Sequence, residues 1–275
     1  MKIGALAAQY DGFIIDLWGV VHDGVRPYPG VIEALTRLRA AGKRVVFLSN
    51  APRRAAAVVT ALAAMGIAPD LHDGVMSSGE AVHTQLRDRT DPGFAALGSR
   101  FWHLGPARDR NLFEDLPLTE VDQPDQADFL LNTGPDDLAG ESDPAAYDPV
   151  LYAALAAGLP MICANPDLEV VRAGQRIICA GLLAEIYAAR GGVVLMRGKP
   201  DPAIYQPTLA MLGTARARTL AVGDSLRTDI AGAKAAGIDS VFILGGIHGF
   251  TPEQAQAACA RAQLNPVAIW PHFTW

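Results

Sequence analysis

Short apolar runs alternate with amphipathic stretches along most of the chain. The runs are apolar at successive positions, which is typical of strands buried on both faces of a parallel sheet. The stretches between them repeat apolar residues with the period of a helix, and several end at glycine. This alternation predicts an α/β fold, a doubly wound, Rossmann-like parallel sheet with helices on both faces. The predicted strands of this sheet are 13–16, 45–48, 193–196, 220–222 and 241–244, and the predicted helices are 30–42, 52–65, 202–212 and 229–236.

The same pattern starts again in the middle of the chain. Apolar runs at 101–104, 129–132 and 161–163 alternate there with predicted helices, and the connecting segments are rich in proline, glycine and aspartate. A stretch of this size is an ordinary domain, and 275 residues suffice for about two domains. We therefore predict a core formed by 1–73 and 190–275, with an α/β cap domain, 74–189, inserted into it.

Composition narrows the class of protein. Hydrophobic residues make up 50% of the chain, which argues against disorder, and the net charge of −6 argues against an electrostatic nucleic-acid binder. No apolar run reaches the roughly 20 residues of a membrane span, and the N-terminus turns acidic too early for a signal peptide. Cys163, Cys179 and Cys259 form no CxxC pair, and we expect buried thiols in a reducing cytoplasm. The expected partner is a small molecule.

Polar residues with chemical potential follow four of the predicted core strands. Asp16, the pair Ser49-Asn50, Lys199 and Asp224 all lie at or just after a strand, where ligands bind in open α/β sheets. A carboxylate there can be a nucleophile or metal ligand, and Ser-Asn before a helix can bind an anion. Lysine is rare in this chain, with four against 19 arginines, so a lysine between Gly198 and Pro200 suggests a compact point charge. Each residue taken alone also fits an ordinary turn or surface position.

The segment Gly223-Asp224-Ser225-Leu226-Arg227-Thr228-Asp229 is more specific. Its two aspartates bracket the turn from a strand to a helix. Together with Asp16 they form a carboxylate cluster suited to Mg²⁺, which prefers oxygen ligands. Asp229 also fits the start of a helix, and both interpretations can hold.

The order Asp, Ser-Asn, Lys, Gly-Asp-x-x-x-x-Asp resembles the four motifs of the haloacid dehalogenase superfamily of phosphotransferases. The insertion between the second and third motifs is similar to that of the subclass with a large α/β cap, which includes sugar-phosphate and p-nitrophenyl phosphate phosphatases. Asn165-Pro166-Asp167 in the cap and Gly198-Lys199-Pro200 also resemble that subclass. Capped relatives are often dimers, so the resemblance leaves a homodimer open.

The resemblance implies a role for each motif residue. Asp16 would attack phosphorus and form an aspartyl-phosphate, Ser49 and Asn50 would hold phosphate oxygens, and Lys199 would neutralise charge. We also expect the Asn165 and Asp167 side chains to face the substrate. The implied function is Mg²⁺-dependent hydrolysis of a small phosphomonoester, such as a sugar or cofactor phosphate. The implied Mg²⁺ ligands are Asp16, the backbone carbonyl of Trp18, Asp224 and Asp229.

Trp18 departs from the family pattern. Phosphatases of the superfamily carry a second aspartate at this position, which protonates the leaving group and then activates water. An indole cannot do this near neutral pH, and the loss of such a group costs about 10²–10⁴-fold in rate. The segment from Asp16 to Gly24 nevertheless resembles the start of a subgroup of capped members, so Trp18 is not an isolated accident.

Three interpretations of Trp18 stay open at this stage. Another group, with His22 as the first candidate, replaces the missing acid because histidine has a suitable pKa. Alternatively, the enzyme acts only on substrates with good leaving groups, such as acyl or aryl phosphates. In the third, the chain is a phosphate-ligand binding or regulatory protein with little turnover. A dehalogenase fits less well, because the carboxylate cluster is retained.

Overall fold

The computed structural model describes residues 3–135, 143–172 and 174–275. In chain order, the strands are β1 (Gly12–Ile15), β2 (Arg44–Ser49), β3 (Gly74–Ser77), β4 (Arg100–Leu104), β5 (Thr119–Glu120), β6 (Phe129–Asn132), β7 (Met161–Cys163), β8 (Glu169–Arg172), β9 (Gln175–Ile178), β10 (Val194–Met196), β11 (Thr219–Gly223), β12 (Asp239–Ile243) and β13 (Ala268–Trp270). The α-helices are α1 (Ile3–Ala7), α2 (Val31–Ala40), α3 (Ala55–Ala64), α4 (Ser78–Asp88), α5 (Pro92–Ala95), α6 (Asp148–Ala156), α7 (Ala180–Ala189), α8 (Tyr205–Leu212), α9 (Ala231–Ala236) and α10 (Pro252–Arg261).

Two parallel sheets organise the described residues. The core sheet has six strands in the order β13-β12-β11-β1-β2-β3, and every neighbouring pair is parallel. The cap sheet has five strands in the order β10-β7-β6-β4-β5, also parallel throughout, and β8 and β9 form a separate antiparallel hairpin. The predicted α/β class, with a parallel core and an inserted α/β cap, is confirmed.

The apolar runs are continuous because each core strand is covered on both faces. In β1, Phe13 and Ile15 pack into the hydrophobic cluster on one face of the sheet, and Ile14 packs into the cluster on the other. In β2, Phe47 and Val46 divide in the same way. Successive side chains of a strand point to opposite faces, so a strand between two layers of helices is apolar at every position.

Two strands lie on the other side of the predicted domain boundaries. β3 pairs with β2 in the core sheet, although 74 was predicted to begin the cap. β10 pairs with β7 in the cap sheet, so the prediction that 193–196 belongs to the core sheet was wrong. A run of two or three apolar residues forms a strand in either sheet, and its neighbours decide which. We therefore propose a core of residues 3–77 and 197–275 and a cap of residues 78–196.

The C-terminal tail completes the core. β13 adds the sixth strand beside β12, with the register pairs Val241–Ala268 and Ile243–Trp270. Trp270 is buried, and a Cβ on Gly4 would lie 2.9 Å from the ring of Trp275, so the tail also packs on α1. The three cysteines are buried free thiols. None of the described helices has the length and apolar character needed to cross a membrane.

Candidate active site

Three core strands deliver buried polar residues to one edge of the sheet. Asp16 directly follows β1 and its backbone N–H donates to Val222 O at 2.9 Å, so the sheet hydrogen bonding fixes its position. Ser49 ends β2, and Asp224 follows β11. All three are less than 8% exposed. Neighbouring parallel strands end at the same edge, which explains why residues distant in sequence meet here.

The lysine of the site follows β10, the last strand of the cap sheet. Met196 pairs with Cys163 at the ends of β10 and β7, so these adjacent strands direct Lys199 and Asp167 toward the core edge side by side. Gly198 allows the close approach: its φ is +133°, and a Cβ there would lie 2.6 Å from Asn50 Oδ1. Lys199 therefore reaches the site directly after a cap strand. The prediction that it follows a strand of the core sheet was wrong.

Lys199 connects two carboxylates. Its Nζ donates to Asp16 Oδ1 at 2.5 Å and to Asp229 Oδ1 at 2.6 Å, and the side chain is 3% exposed. Burial alone would lower the pKa of Lys199, but the carboxylates of Asp16, Asp229 and Asp167 raise it well above its ordinary value. The carboxylates therefore favour the charged ammonium form of Lys199, which faces the predicted nucleophile.

Asn50 holds the backbone of Lys199. Its Oδ1 accepts from the Lys199 N–H at 2.8 Å, and its Nδ2 donates to Lys199 O at 3.1 Å and to Asp167 Oδ1 at 2.9 Å. These contacts use the side-chain amide of Asn50 to position Lys199 and Asp167, and phosphate binding by Asn50 stays a prediction. Ser49 Oγ accepts from the backbone N–H of Ala51 at 3.3 Å, and its hydroxyl stays a predicted phosphate ligand.

Asp16, Asp224 and Asp229 form a buried group of carboxylates among the described residues. One oxygen from each lies within 4.8 Å of the others. A π-helical turn, Leu226–Ile230, places Asp229, and Ser225 N–H donates to its Oδ2 at 3.1 Å. Asp224 Oδ2 accepts from Ile247 N–H at 2.7 Å, and a Cβ on Gly246 would lie only 1.8 Å from that oxygen. Glycine at 246 is thus required for the backbone to approach the carboxylate.

The electrostatics of this cluster fit a divalent cation. Burial, reinforced by the neighbouring Asp229, raises the pKa of Asp224 to about 8, and burial likewise raises the pKa of Asp16. Three carboxylates lie around a single lysine in a buried place, where burial disfavours their charged forms unless a further cation binds. Mg²⁺ would balance them, with Asp16, Asp224 and Asp229 as its side-chain ligands. The backbone carbonyl of Trp18 stays a predicted ligand.

The cap loop that carries Asn165 and Asp167 lies against the core. Asn165 Oδ1 accepts from the Asp167 N–H at 3.0 Å, which closes a turn. Arg227 Nη1 donates to Pro166 O at 2.7 Å, and Ser78 Oγ donates to Ala164 O. The contact of Arg227 with the cap was not predicted, although the position of Arg227 between the two aspartates of the Asp224–Asp229 segment could have indicated it.

Two adjoining cavities lie between the core and the cap. One, of about 250 Å³, is lined by Ser49, Asn50 and Asn165 and continues over apolar residues and arginines. The other, of about 170 Å³, is lined by Asp16, Lys199 and the other carboxylates. We call them the outer cavity and the nucleophile cavity. The predicted substrate-facing residues Asn165 and Asp167 both line the outer cavity.

Trp18 and His22 form one structural unit in the loop after β1. Their rings lie edge to face with centroids 5.3 Å apart, and a Cβ on Gly24 would lie 2.3 Å from the indole. His22 Nδ1 accepts from the Gly24 N–H at 3.0 Å, and burial lowers the pKa of His22 to about 4. His22 lines the outer cavity but not the cavity that contains Asp16. This geometry favours a neutral turn residue over the predicted substitute acid.

The pKa of His22 gives a prediction for stability. His22 binds a proton less tightly in the folded protein than in the unfolded chain, whose histidine pKa is about 6.5. This difference contributes stability above pH 6.5, and that stability is lost as the pH falls toward 4. We expect about 3 kcal/mol of the free energy of unfolding to be lost over this range and to be largely retained in His22→Asn. Urea unfolding at pH 7 and pH 4.5 measures the difference, and equal pH dependence in both proteins would contradict it. His22→Asn is also expected to retain phosphate release within about tenfold.

Comparison with known proteins identifies this arrangement. The family of haloacid dehalogenase-like hydrolases matches residues 13–118, and the HAD-hydrolase-like family matches residues 196–273. The sugar-phosphatase AraL of Bacillus subtilis is 30% identical over 242 residues, which cover 86% of this chain and 83% of that protein. The D-glycerol 3-phosphate phosphatase of Mycobacterium tuberculosis is 30% identical over 253 residues, covering 89% of this chain but 65% of that longer protein.

Solved structures agree with the sequence comparison. A haloacid dehalogenase-like hydrolase from Brucella suis superimposes with a TM-score of 0.87 at 29% identity, covering 99% of each chain. The M. tuberculosis glycerol phosphate phosphatase in complex with magnesium has a TM-score of 0.66 at 26% identity, covering 88% of this chain and 70% of that one. The chain belongs to the haloacid dehalogenase-like hydrolases. Within them it is a phosphatase of the subclass with a large α/β cap, as its motifs indicate.

Proposed function

We propose that this chain hydrolyses a small phosphomonoester by transferring the phosphoryl group to Asp16, with Mg²⁺ as cofactor. The observation that carries the proposal is the Asp16–Lys199 contact of 2.5 Å, buried beside the carboxylate cluster and open to the cavities under the cap. The phosphatases among the relatives support the reaction class. The identity of the substrate is part of what we propose.

The residues divide the work of phosphoryl transfer. Asp16 attacks phosphorus, which splits the displacement into two easier steps. Lys199 reduces the repulsion between the anionic nucleophile and the anionic substrate, while Asp229 and Asn50 hold it in place. Asp16, Asp224 and Asp229 would hold Mg²⁺, which supplies Lewis-acid charge stabilisation at the phosphoryl oxygens. Ser49 lies where it can donate to a phosphate oxygen in the outer cavity.

The outer cavity suits a small organic body next to the phosphate. Its walls are apolar on the core side, with Leu17, Val58 and Leu62. Two arginines also line it, Arg108 and Arg53, and Arg53 pairs with Asp109 at 3.3 Å. A volume of about 250 Å³ accommodates a sugar phosphate or a cofactor phosphate of similar size. The cap closes this cavity and limits the access of water to the reacting phosphate.

A phosphate-binding or regulatory protein with little turnover is the second candidate. The observation in its favour is Trp18, which lines both cavities and stands where phosphatases of the family carry an aspartate. The intact Asp16–Lys199 pair favours the enzyme, because a pure binding site has no use for a nucleophile.

Phosphate release from a panel of compounds separates the two candidates. We expect turnover of at least one sugar or cofactor phosphate that requires Mg²⁺ and falls at least about 100-fold when EDTA removes the metal or when Asp224→Asn removes a ligand. Glu33→Gln, which alters an exposed carboxylate paired with Arg37, is the control. Binding of a panel member measured by calorimetry, with no release from any compound, would establish the binding protein instead.

A further inference from the structure

The site as described lacks a proton donor for the leaving group, because Trp18 occupies the family's usual position. Phosphoryl transfer to Asp16 releases an alkoxide unless a nearby acid protonates it, and the loss of that acid costs about 10²–10⁴-fold. We propose that the carboxyl group of Asp167, supplied by the cap, is this missing general acid and base. The inference rests on the proposed function, since it names the residue that completes the same reaction.

Asp167 lies at the junction of the two cavities. In the described part of the chain, Trp18, Asp167 and Val170 are the residues that line both. Asp16 and Lys199 lie on one side of this junction, and Ser49 and the substrate-sized cavity on the other. With the phosphate beside Asp16 and the organic body in the outer cavity, the bond from phosphorus to the leaving oxygen lies at this junction. Of the three junction residues, Asp167 carries an ionisable group.

The contacts of Asp167 fix it relative to the nucleophile. Asn50 Nδ2 donates to Asp167 Oδ1 at 2.9 Å, and the same amide binds the backbone of Lys199, whose Nζ binds Asp16. One amide thus positions both the lysine that holds the nucleophile and the proposed acid. Only Oδ1 of Asp167 is used in this contact with Asn50, so Oδ2 is the oxygen we assign to proton transfer.

The cap loop is held by one contact from the core and by two neighbouring parts of the cap. Arg227 Nη1 donates to Pro166 O at 2.7 Å, and Ser78 Oγ donates to Ala164 O. A Cβ on Gly181 would lie 2.4 Å from Pro166 O, so α7 also approaches the loop closely. The position of the carboxyl group therefore depends on how the cap packs on the core, through the Arg227 contact and the Asn50 contact.

The surroundings of Asp167 favour the protonated form of its carboxyl group more than solvent does. Burial raises the pKa of Asp167, Asp229 raises it further, and Lys199, the hydrogen bond from Asn50 and Arg227 lower it. Asp224 lines the same cavity. His22 offers less, because its lowered pKa keeps it neutral and Nδ1 already accepts a backbone hydrogen bond.

The proposed steps balance in atoms and protons. An Asp16 oxygen forms a bond to phosphorus while the bond from phosphorus to the leaving oxygen breaks, and that oxygen takes its electron pair and the proton of Asp167. The alcohol leaves. Water then attacks the aspartyl-phosphate, gives a proton to the Asp167 carboxylate, and displaces Asp16 as phosphate forms. Asp167 ends protonated and Asp16 ends as a carboxylate.

Leaving-group dependence tests the proposal. Asp167→Asn keeps an oxygen that can accept from Asn50, but it cannot donate an acidic proton. We expect kcat/KM to fall about 100-fold or more for the best alkyl phosphate of the panel and less than about fivefold for p-nitrophenyl phosphate, whose phenolate leaves without protonation. The ratio kcat/KM reports the steps up to departure of the alcohol, so slow hydrolysis of the aspartyl-phosphate does not mask the difference.

Glu185→Gln is the matched control. Glu185 is a cap carboxylate that pairs with Arg227 at 2.7 Å and lines neither cavity, so its loss should leave the alkyl-to-aryl ratio unchanged. Asp167→Ser should give the same selective loss of kcat/KM on the alkyl phosphate. Thermal unfolding checks that both Asp167 variants are folded. An equal loss on both substrates, or no loss, would overturn the assignment. Wild-type turnover of p-nitrophenyl phosphate alone would overturn it while leaving the phosphatase standing, and a wild-type chain without any turnover would overturn both.

Discussion

Replacement of Asp16 by asparagine is expected to reduce Mg²⁺-dependent phosphate release by about 10⁴-fold or more. An amide oxygen is a poor nucleophile and cannot form the aspartyl-phosphate, so the covalent route closes. The fold should survive, because asparagine Oδ1 can still accept from Lys199 Nζ and the backbone hydrogen bond to Val222 O is unaffected. The change also removes one of three mutually repelling carboxylates from a buried place, which limits any loss of stability.

Trapping of the phosphorylated protein measures this effect directly. Acid quenching with radiolabelled substrate should give protein-bound phosphate on the wild-type chain and none on Asp16→Asn. Asp11→Asn is the matched control, because Asp11 precedes β1 at the opposite end of the same strand and pairs with Arg218 at the surface. Substantial release by Asp16→Asn would show that another group attacks phosphorus.

Sequence patterns predict the core edge of this site well. Asp16, Ser49 and Asp224 each follow a run that is apolar at every position, and such runs are buried parallel strands whose ends meet. Their convergence therefore follows from the fold class. The same reasoning placed Lys199 near Asp16, although the strand before Lys199 belongs to the cap sheet.

Such patterns do not predict the contacts between the core and the cap. β3 and β10 each contain few apolar residues, and nothing in so short a run specifies the sheet that it joins. Asn50 looks like an ordinary turn residue until the Lys199 backbone, 149 positions later, occupies its amide. The assignment of His22 as an acid used its proximity to Asp16 in sequence, whereas the structure directs it toward Gly24. The junction at Trp18 and Asp167 depends on the position of the cap.

Lys199→Met is expected to damage both stability and catalysis. The substitution leaves Asp16 and Asp229 facing each other without the cation that both contact within 2.6 Å, in a place where the lysine is 3% exposed. Removing one partner from a buried ion pair costs about 3–5 kcal/mol, because the remaining charge is uncompensated. The loss of positive charge at the phosphoryl group should further reduce kcat by about 10²–10³-fold.

Urea unfolding and its response to Mg²⁺ separate these two effects of Lys199→Met. Because the variant retains the three carboxylates, saturating Mg²⁺ should restore part of the lost free energy of unfolding by binding the folded state. It should not restore kcat, since the charge opposite the nucleophile is still missing. Lys43→Met, which removes a lysine from a 3.5 Å contact with the exposed Asp11, is the control and should cost less than about 1 kcal/mol. If Lys199→Met loses no more free energy of unfolding than Lys43→Met, the buried carboxylates are not stabilised by Lys199. The electrostatic account of the site would then be wrong.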